Sequence, residues 1–254
     1  RRSPDDDVRL RPALAEAVDV ASIIRQATFD LAEPASADPF APSSEWRDAA
    51  SPVPSFNPEA AKQALETAGY RDVNGDGIRE LPDGTALLIP ITCAKVETEQ
   101  KIVSMIMTNW KAVGIAAKAV PVAPEQVLPA MMGGSFEAVL TELALIVPSS
   151  VYDWFHSSQG EITGGLVVGK NYGGYASAAF DRTAELLLEA RDPATRLSLC
   201  REAQQPLAGD APWLPLFSPW VLSLYSEARF AGWSPTPGVG LLDRYVLTGL
   251  VARD

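Results

Sequence analysis

The segment DVNGDGIRELPD, residues 72–83, is the sharpest metal candidate in the chain. Asp72, Asn74 and Asp76 stand at positions one, three and five of a calcium loop. Gly77 holds the sixth position, where the chain must turn sharply, and Ile78 is placed to offer a carbonyl. The second half fits poorly: the twelfth position, which normally supplies a bidentate Glu, is Asp83 behind Pro82, and no second helix is evident. The competing reading is a plain turn in which Asn-Gly and Asp-Gly supply left-handed backbone ahead of a strand. The plain turn is the expectation here, and no metal ligand is assigned.

Nucleophilic and metal chemistry find little to work with elsewhere. His156 is the single histidine, so a His-based metal cluster is excluded. A Cys/His zinc site would need Cys93, Cys200 and His156 to converge without short ligand spacing. Ser, His and Asp all occur, yet no G-x-S-x-G elbow presents a nucleophile, and His156 is read as structural. In the run GGLVVGKNYGGY, residues 164–175, the pair Gly169-Lys170 is followed by Asn171 rather than Ser or Thr, and helical spacing resumes only near Ala178. That departs from a phosphate loop, which joins a buried strand directly to a helix. No catalytic residue and no cofactor is expected.

The elements that must position these residues alternate between helix and strand. Leu10, Leu14, Ala17 and Val18 repeat at helical spacing within residues 8–19, and Ile23, Ile24 and Ala27 continue it through 20–29. Residues 30–56, rich in Pro, Ser, Asp and Ala, read as a long loop. Asn57, Pro58 and Gly69 mark the cap, first position and stop of a helix. Residues 86–92 read as a buried strand, 97–113 as a helix, 115–122 as a strand, 125–132 as a helix and 136–145 as a strand. These make two β–α–β steps, which call for partly parallel pairing. Helices over 178–190 and 193–207, the second capped by Asp192, precede a strand over 213–225. Cys200 shares a helical face with Leu197, Ala203 and Leu207 and reads as a core thiol, with a Cys93–Cys200 disulfide as the open alternative.

Composition sets the outer limits. With 254 residues, 47% of them hydrophobic, the chain can bury a substantial core as one large domain or a domain plus an appendage. A net charge of −11 argues against a nucleic-acid surface, which needs clustered Lys and Arg. No apolar run approaches the ~20 residues of a membrane-spanning helix, and RRSPDDD at the start lacks the apolar core of a secretory signal.

One order of features is more specific than any of these. The stretch WFHSSQGEITGGLVVGKNYGGYASAAFDRTAELLLEARDPATRLSLCREAQQPLAGDAPWLPLF, residues 154–217, resembles the C-terminal lobe of family 5 extracellular solute-binding proteins, the peptide and nickel receptors that deliver ligand to ABC importers. DDDVRLRPALAEAVDVASII is similar to that family's lobe-opening segment, and NPEAAKQALETAGYRDVNGDGIRE to its Pro-started helix and Asp/Gly turn. The resemblance implies an α/β fold: one lobe of a two-lobed periplasmic-binding-protein-like architecture, with a mixed sheet flanked by helices. Residues 1–225 would form the C-terminal ligand-binding lobe, and residues 226–254 a tail that returns to an N-terminal lobe absent from this chain. Exported members act outside the cell and many are lipid-anchored, so the implied location is periplasmic or extracellular, membrane-anchored in the full-length protein, with the lack of an export signal marking a fragment or processed form.

What the resemblance implies about function is a non-enzymatic, substrate-binding component of an ABC importer. It would hold a peptide-like or other small organic solute between two lobes, with an ABC permease and the second lobe as partners and no role for nucleic acid. A ligand-sensing module docking on a membrane receptor is the alternative, with a hydrolase behind it. Family peptide receptors often carry a Gly-Trp pair and then an Asp, which meets the ligand's amino group, in the region matching residues 136–155. Here Leu143 stands where the Trp would fall, followed by Ala144 and Leu145, and the Asp position becomes apolar or is lost in a short deletion. The ligand-contacting candidates are therefore Glu142, Leu143, Ala144, Tyr152, Asp153 and Trp154. Glu142 is either a replacement cation anchor or a solvated strand end. Tyr152 and Trp154 either stack on ligand or fill core. Without the acidic anchor, an enclosed ammonium lacks its compensating charge, which points to a less polar or modified ligand.

Overall fold

The computed structural model describes residues 7–143, 147–235, 241 and 244–253. Helices α1 (Leu10–Glu16) and α2 (Val20–Ala27) divide at Asp19, whose carboxylate caps α2 by accepting from the Ser22 N–H at 2.9 Å. Past the short strand β1 (Ala32–Pro34), residues 35–56 carry no regular element but are firmly anchored. Ser36 and Asp38 are buried, Arg47 donates to Asp38 Oδ2 at 3.2 Å, and Gln204 takes the Asp48 N–H at 3.0 Å. The loop expectation is correct in outline, and its irregular backbone is stabilised by an ion pair with a buried carboxylate that no local pattern announces.

Helix α3 (Pro58–Ala68) has the expected ends. Asn57 accepts from the Ala60 N–H at 3.0 Å, and Gly69 closes the helix at φ +95°, where a Cβ would be strained. Strand β2 (Leu88–Ala94), helix α4 (Glu97–Ala112) and strand β3 (Ala116–Val122) form one parallel unit, with Leu88 opposite Ala116 and Ala94 opposite Val122. After helix α5 (Pro124–Met132), strand β4 (Ala138–Val139) pairs in parallel with the other edge of β2, so the sheet order is β3-β2-β4. The strand read over 136–145 is corrected to two residues. Leu140 adds one more bond, its N–H donating to Thr92 O at 2.8 Å, and residues 144–146 lie outside the described part.

The second half is mostly helical. Helix α6 (Ser150–Phe155) runs into a 3₁₀ turn at Ser157–Gly160 and a small hairpin of β5 (Ile162–Thr163) and β6 (Leu166–Val167). Gly164 and Gly165, at φ +61° and +83°, are its two-residue turn, so the Gly-rich run builds a hairpin and not a phosphate cradle. Helix α7 (Ala178–Glu189), capped by Ser177, packs against α8 (Pro193–Asp210), capped by Asp192. Of the strand read over 213–225, only β7 (Phe217–Pro219) forms, antiparallel to β1. Pro212, Pro215 and Pro219 each lack a ladder donor, and β1 offers only three residues. Toward the end, β8 (Phe230–Ala231) pairs with β9 (Val251–Ala252), which follows α9 (Arg244–Gly249).

Two apolar clusters organise these elements. One joins α1, α2 and α3 to β2 and α4, and Trp110 locks it by donating its indole N–H to Leu14 O at 3.1 Å. The other gathers Phe40 with α6, α7 and α8 around Phe180, which meets Phe155 and Tyr175 edge-on at 6.2 and 5.7 Å. Residues 213–217 tie the two together: Trp213 lies on the second cluster, whereas Leu214, Leu216 and Phe217 lie on the first. Cys93 and Cys200 are both free and buried, one in each cluster, as the core-thiol reading expects. No described helix is long and apolar enough to cross a membrane.

Candidate functional site

Parallel strands leave their carboxyl ends on one edge of the sheet, and α/β proteins build ligand crevices outside that edge. The chain leaves the carboxyl end of β4 at Val139 and reaches α6 after ten intervening residues. Every ligand-contacting candidate lies on or beside this connection. Glu142 is exposed, with no ion pair among the described residues, so its charge is available to solvent or ligand. Leu143 is half-buried against the second apolar cluster. Ala144 lies outside the described residues.

The other three candidates share α6. Tyr152 stacks on the His156 ring, centroids 4.2 Å apart, and its hydroxyl lies 3.3 Å from Ser158 Oγ. Trp154 meets Tyr172 edge-on at 6.0 Å and carries the Lys170 ammonium over its ring at 5.9 Å, a cation–π contact. Both aromatics also pack on the second cluster while remaining only half-buried. The core reading thus accounts for part of each ring, and the rest stays partly exposed. Asp153 is half-buried between them on the first turn of α6. Leu143, Tyr152 and Trp154 thus meet on one cluster, while Glu142 stands apart at the strand end.

His156 is buried at the end of α6. Its Nδ1 accepts from the Ser158 N–H at 3.2 Å and lies 2.8 Å from Ser158 Oγ, while Nε2 faces Glu185 at 3.5 Å and Asp181 at 3.9 Å. With Nδ1 accepting, the ring proton belongs on Nε2, which is buried and makes no hydrogen bond although the two carboxylates lie within 4 Å. A serine, the histidine and an acid therefore do meet. The Ser158 N–H, which an oxyanion at that residue would require, is already spent on the histidine, and Tyr152 covers one face of the ring. As a turn lock, the same contacts cap the 3₁₀ turn.

Two residues that the sequence reading passed over hold this region in place. Asn171 is buried. Its amide donates to Phe155 O, His156 O and Tyr175 O at 3.4, 3.1 and 2.7 Å, and its Oδ1 accepts from the Tyr175 N–H at 3.0 Å. Asp181 accepts from the Ser157 N–H at 3.0 Å and from its hydroxyl at 2.6 Å, tying α7 to the end of α6. The only signal for Asn171 was its place inside a Gly-rich run. Burial pushes the Tyr175 hydroxyl well above the usual tyrosine range, and its bond to Asp210 at 2.7 Å adds to this. A neutral phenol thereby closes the cluster against α8.

A small parallel sheet flanked by helices, with candidate wall residues after its last strand, defines one lobe of the periplasmic-binding-protein type. Residues 1–161 match the middle region of the bacterial extracellular solute-binding proteins, family 5, and the chain belongs to that family. The oligopeptide-binding protein AppA of Bacillus subtilis is 30% identical over 222 residues, covering 84% of this chain and 39% of its own length. The structure of AppA in complex with a nonapeptide superposes with a TM-score of 0.80 at 25% identity, over 98% of this chain and 48% of that one. A periplasmic oligopeptide-binding protein of Thermotoga maritima matches in fold at a TM-score of 0.81 and 23% identity, over 99% of this chain and 51% of that one. The chain thus spans about half, or less, of the length of these relatives.

Proposed function

We propose that this chain is one lobe of the substrate-binding component of an ABC importer, with residues 1–225 as the lobe and 226–254 as a tail returning to a second lobe. The observation that carries the reading is that Leu143, Tyr152 and Trp154, all beyond the carboxyl end of β4, each pack half-buried on the second apolar cluster, in a chain of this family. A second lobe would close over that wall by hinge motion and expel water from both faces. Support for such a partner surface comes from residues 220–225, where Trp220, Val221, Leu222, Leu224 and Tyr225 are all exposed, Leu224 fully so. Consecutive apolar exposure of this kind marks contact surface rather than finished exterior.

The solute is peptide-like or another small organic molecule, in keeping with the nonapeptide bound to AppA. Half-buried aromatic faces and one free carboxylate at Glu142 suit an extended ligand with few charges. The receptor works outside the cytoplasmic membrane, anchored to it, hands its solute to a permease, and makes or breaks no bonds. Calorimetry with mixed peptides on the two-lobed protein and on this chain alone tests the reading. Tight binding is expected for the former, and no affinity tighter than about 1 μM for the latter, because one wall supplies only part of the binding free energy. High-affinity uptake of free nickel alone, or a tight complex with the single lobe, overturns it.

The meeting of Ser158 with His156 favours a second reading, a hydrolase. It requires ester turnover that Ser158→Ala abolishes. With the Ser158 N–H committed to the histidine, no such turnover is expected.

A further inference from the structure

We propose that residues 72–80 form a calcium site whose closing ligand is Glu80. One carboxylate oxygen from each of Asp72, Asp76 and Glu80 lies within 4.8 Å of the others. Two oxygens on opposite sides of one calcium ion stand about 5 Å apart, twice the usual 2.3–2.6 Å bond, so the three are already within reach of a single ion. Asp72 and Asp76 are exposed, whereas Glu80 is 7% exposed and sends its carboxylate back into the loop.

The buried carboxylate is what points to a cation. Glu80 Oε2 accepts from the Val73 N–H at 2.7 Å, while Oε1 is buried with no hydrogen-bond partner. A buried carboxylate oxygen without a partner is unfavourable unless a positive charge compensates it. The nearby arginines do not supply that charge: Arg79 Nη1 lies 2.6 Å from Glu66, and Arg71 Nε lies 3.6 Å from the same carboxylate. Among the described residues, no ion pair reaches Asp72, Asp76 or Glu80.

The remaining donors are oxygens too. Asn74 Oδ1 accepts from the Asp76 N–H at 2.8 Å and retains a second lone pair, and Ile78 holds the position whose carbonyl a calcium loop uses. Three carboxylates, an amide oxygen and a carbonyl make a hard, flexible donor set, which suits calcium better than the near-ideal octahedron demanded by magnesium. Asp83, at the twelfth position, takes no part, since its Oδ1 accepts from the Thr85 N–H at 3.0 Å in its own turn. The pairing of Arg71 with Glu80, through the Glu80 N–H to Arg71 O at 2.9 Å, folds the ninth position back to the start of the loop.

The loop enters β2 at the amino end of the parallel sheet, opposite the edge where the chain leaves β4 toward α6. A cation there would fasten the crossing from α3 into the sheet and leave the solute wall untouched. The test is calorimetry and thermal melting of the EDTA-stripped 254-residue chain with calcium chloride, and with magnesium chloride for comparison. One calcium per chain is expected, at a Kd of about 10⁻⁵ to 10⁻³ M, with a rise in Tm and at least a tenfold weaker response to magnesium. Glu80→Gln and Asp76→Asn should each weaken calcium binding about tenfold or more. Asp76 is exposed, so its variant keeps the apo Tm and stays informative if the Glu80 variant unfolds. Absence of binding heat together with an unchanged Tm at about 5 mM calcium, or undiminished affinity in Asp76→Asn, overturns the proposal.

Discussion

Asn171 and Tyr175 bind one another twice: the amide of Asn171 donates to Tyr175 O at 2.7 Å, and its Oδ1 takes the Tyr175 N–H at 3.0 Å. Two further bonds to Phe155 O and His156 O make this side chain the pin between α6 and the Gly-rich run. Asn171→Ala leaves buried backbone groups without partners. The expected loss is about 3 kcal/mol of stability in urea unfolding. A loss below about 1 kcal/mol would mean that water or rearranged backbone replaces those bonds.

The two thiols should be silent in the native chain. Burial pushes Cys200 up to about 12, and it raises Cys93 as well. Only the thiolate reacts, so modification by a disulfide reagent at neutral pH should be at least ~100-fold slower in the folded chain than in denaturant, where two thiols titrate. The unfolded Cys200 ionises near 9.0 while the folded one holds its proton, so its contribution to stability declines as pH rises from 9.0 toward about 12. Zero thiols in denaturant would reveal a disulfide instead.

At the acid end, the Arg9 guanidinium holds the Asp7 carboxyl down at about 2, with the Tyr70 hydroxyl donating to it at 2.9 Å. A depressed carboxyl stabilises the fold above its unfolded value of 3.8 and loses that contribution as pH falls through about 2. Asp7→Asn should therefore be less stable than the parent at neutral pH, with the gap closing between 3.8 and about 2. A gap that stays constant over that range, measured by denaturant midpoint, excludes the charge as its cause.

In the two-lobed protein, Trp154→Ala and Glu142→Gln test different properties of the wall. Removing the indole should weaken solute binding about tenfold whatever the ligand's charge, since a stacking face is lost. Neutralising Glu142 should matter only for solutes with a positive group. Equal affinity of Trp154→Ala and parent for every solute would assign the ring to the core alone.

The sequence by itself determined the longer helices, because their signals are local, but not α9 in the tail. Asn57 and Asp192 reach N–H groups three residues on, Pro58 and Pro193 start turns whose donors are free in any case, and Gly69 takes a backbone angle that its missing side chain permits. The parallel step from β2 through α4 to β3 was legible for the same reason: each element is patterned within its own length. The order of features over residues 154–217, with the blocks near the start and over 57–80, suggested the family, whose match runs over residues 1–161.

Tertiary structure alone decided the rest. The strand read over 213–225 shrank because a strand's extent depends on its partner and β1 offers β7 only three residues, whereas β4 pairs at two positions although its partner β2 runs for seven. Asn171 and Gln204 are ordinary polar letters in sequence; only folding encloses them among carbonyls from distant segments. Glu80 shows the limit most plainly. Counting along a linear pattern points to Asp83, whereas the pairing of Arg71 with Glu80 brings the ninth position back to the loop's beginning and buries its carboxylate beside Asp72 and Asp76. Spacing along the chain fixes which atoms can be neighbours within a turn, and burial across the fold decides which of them must find a partner.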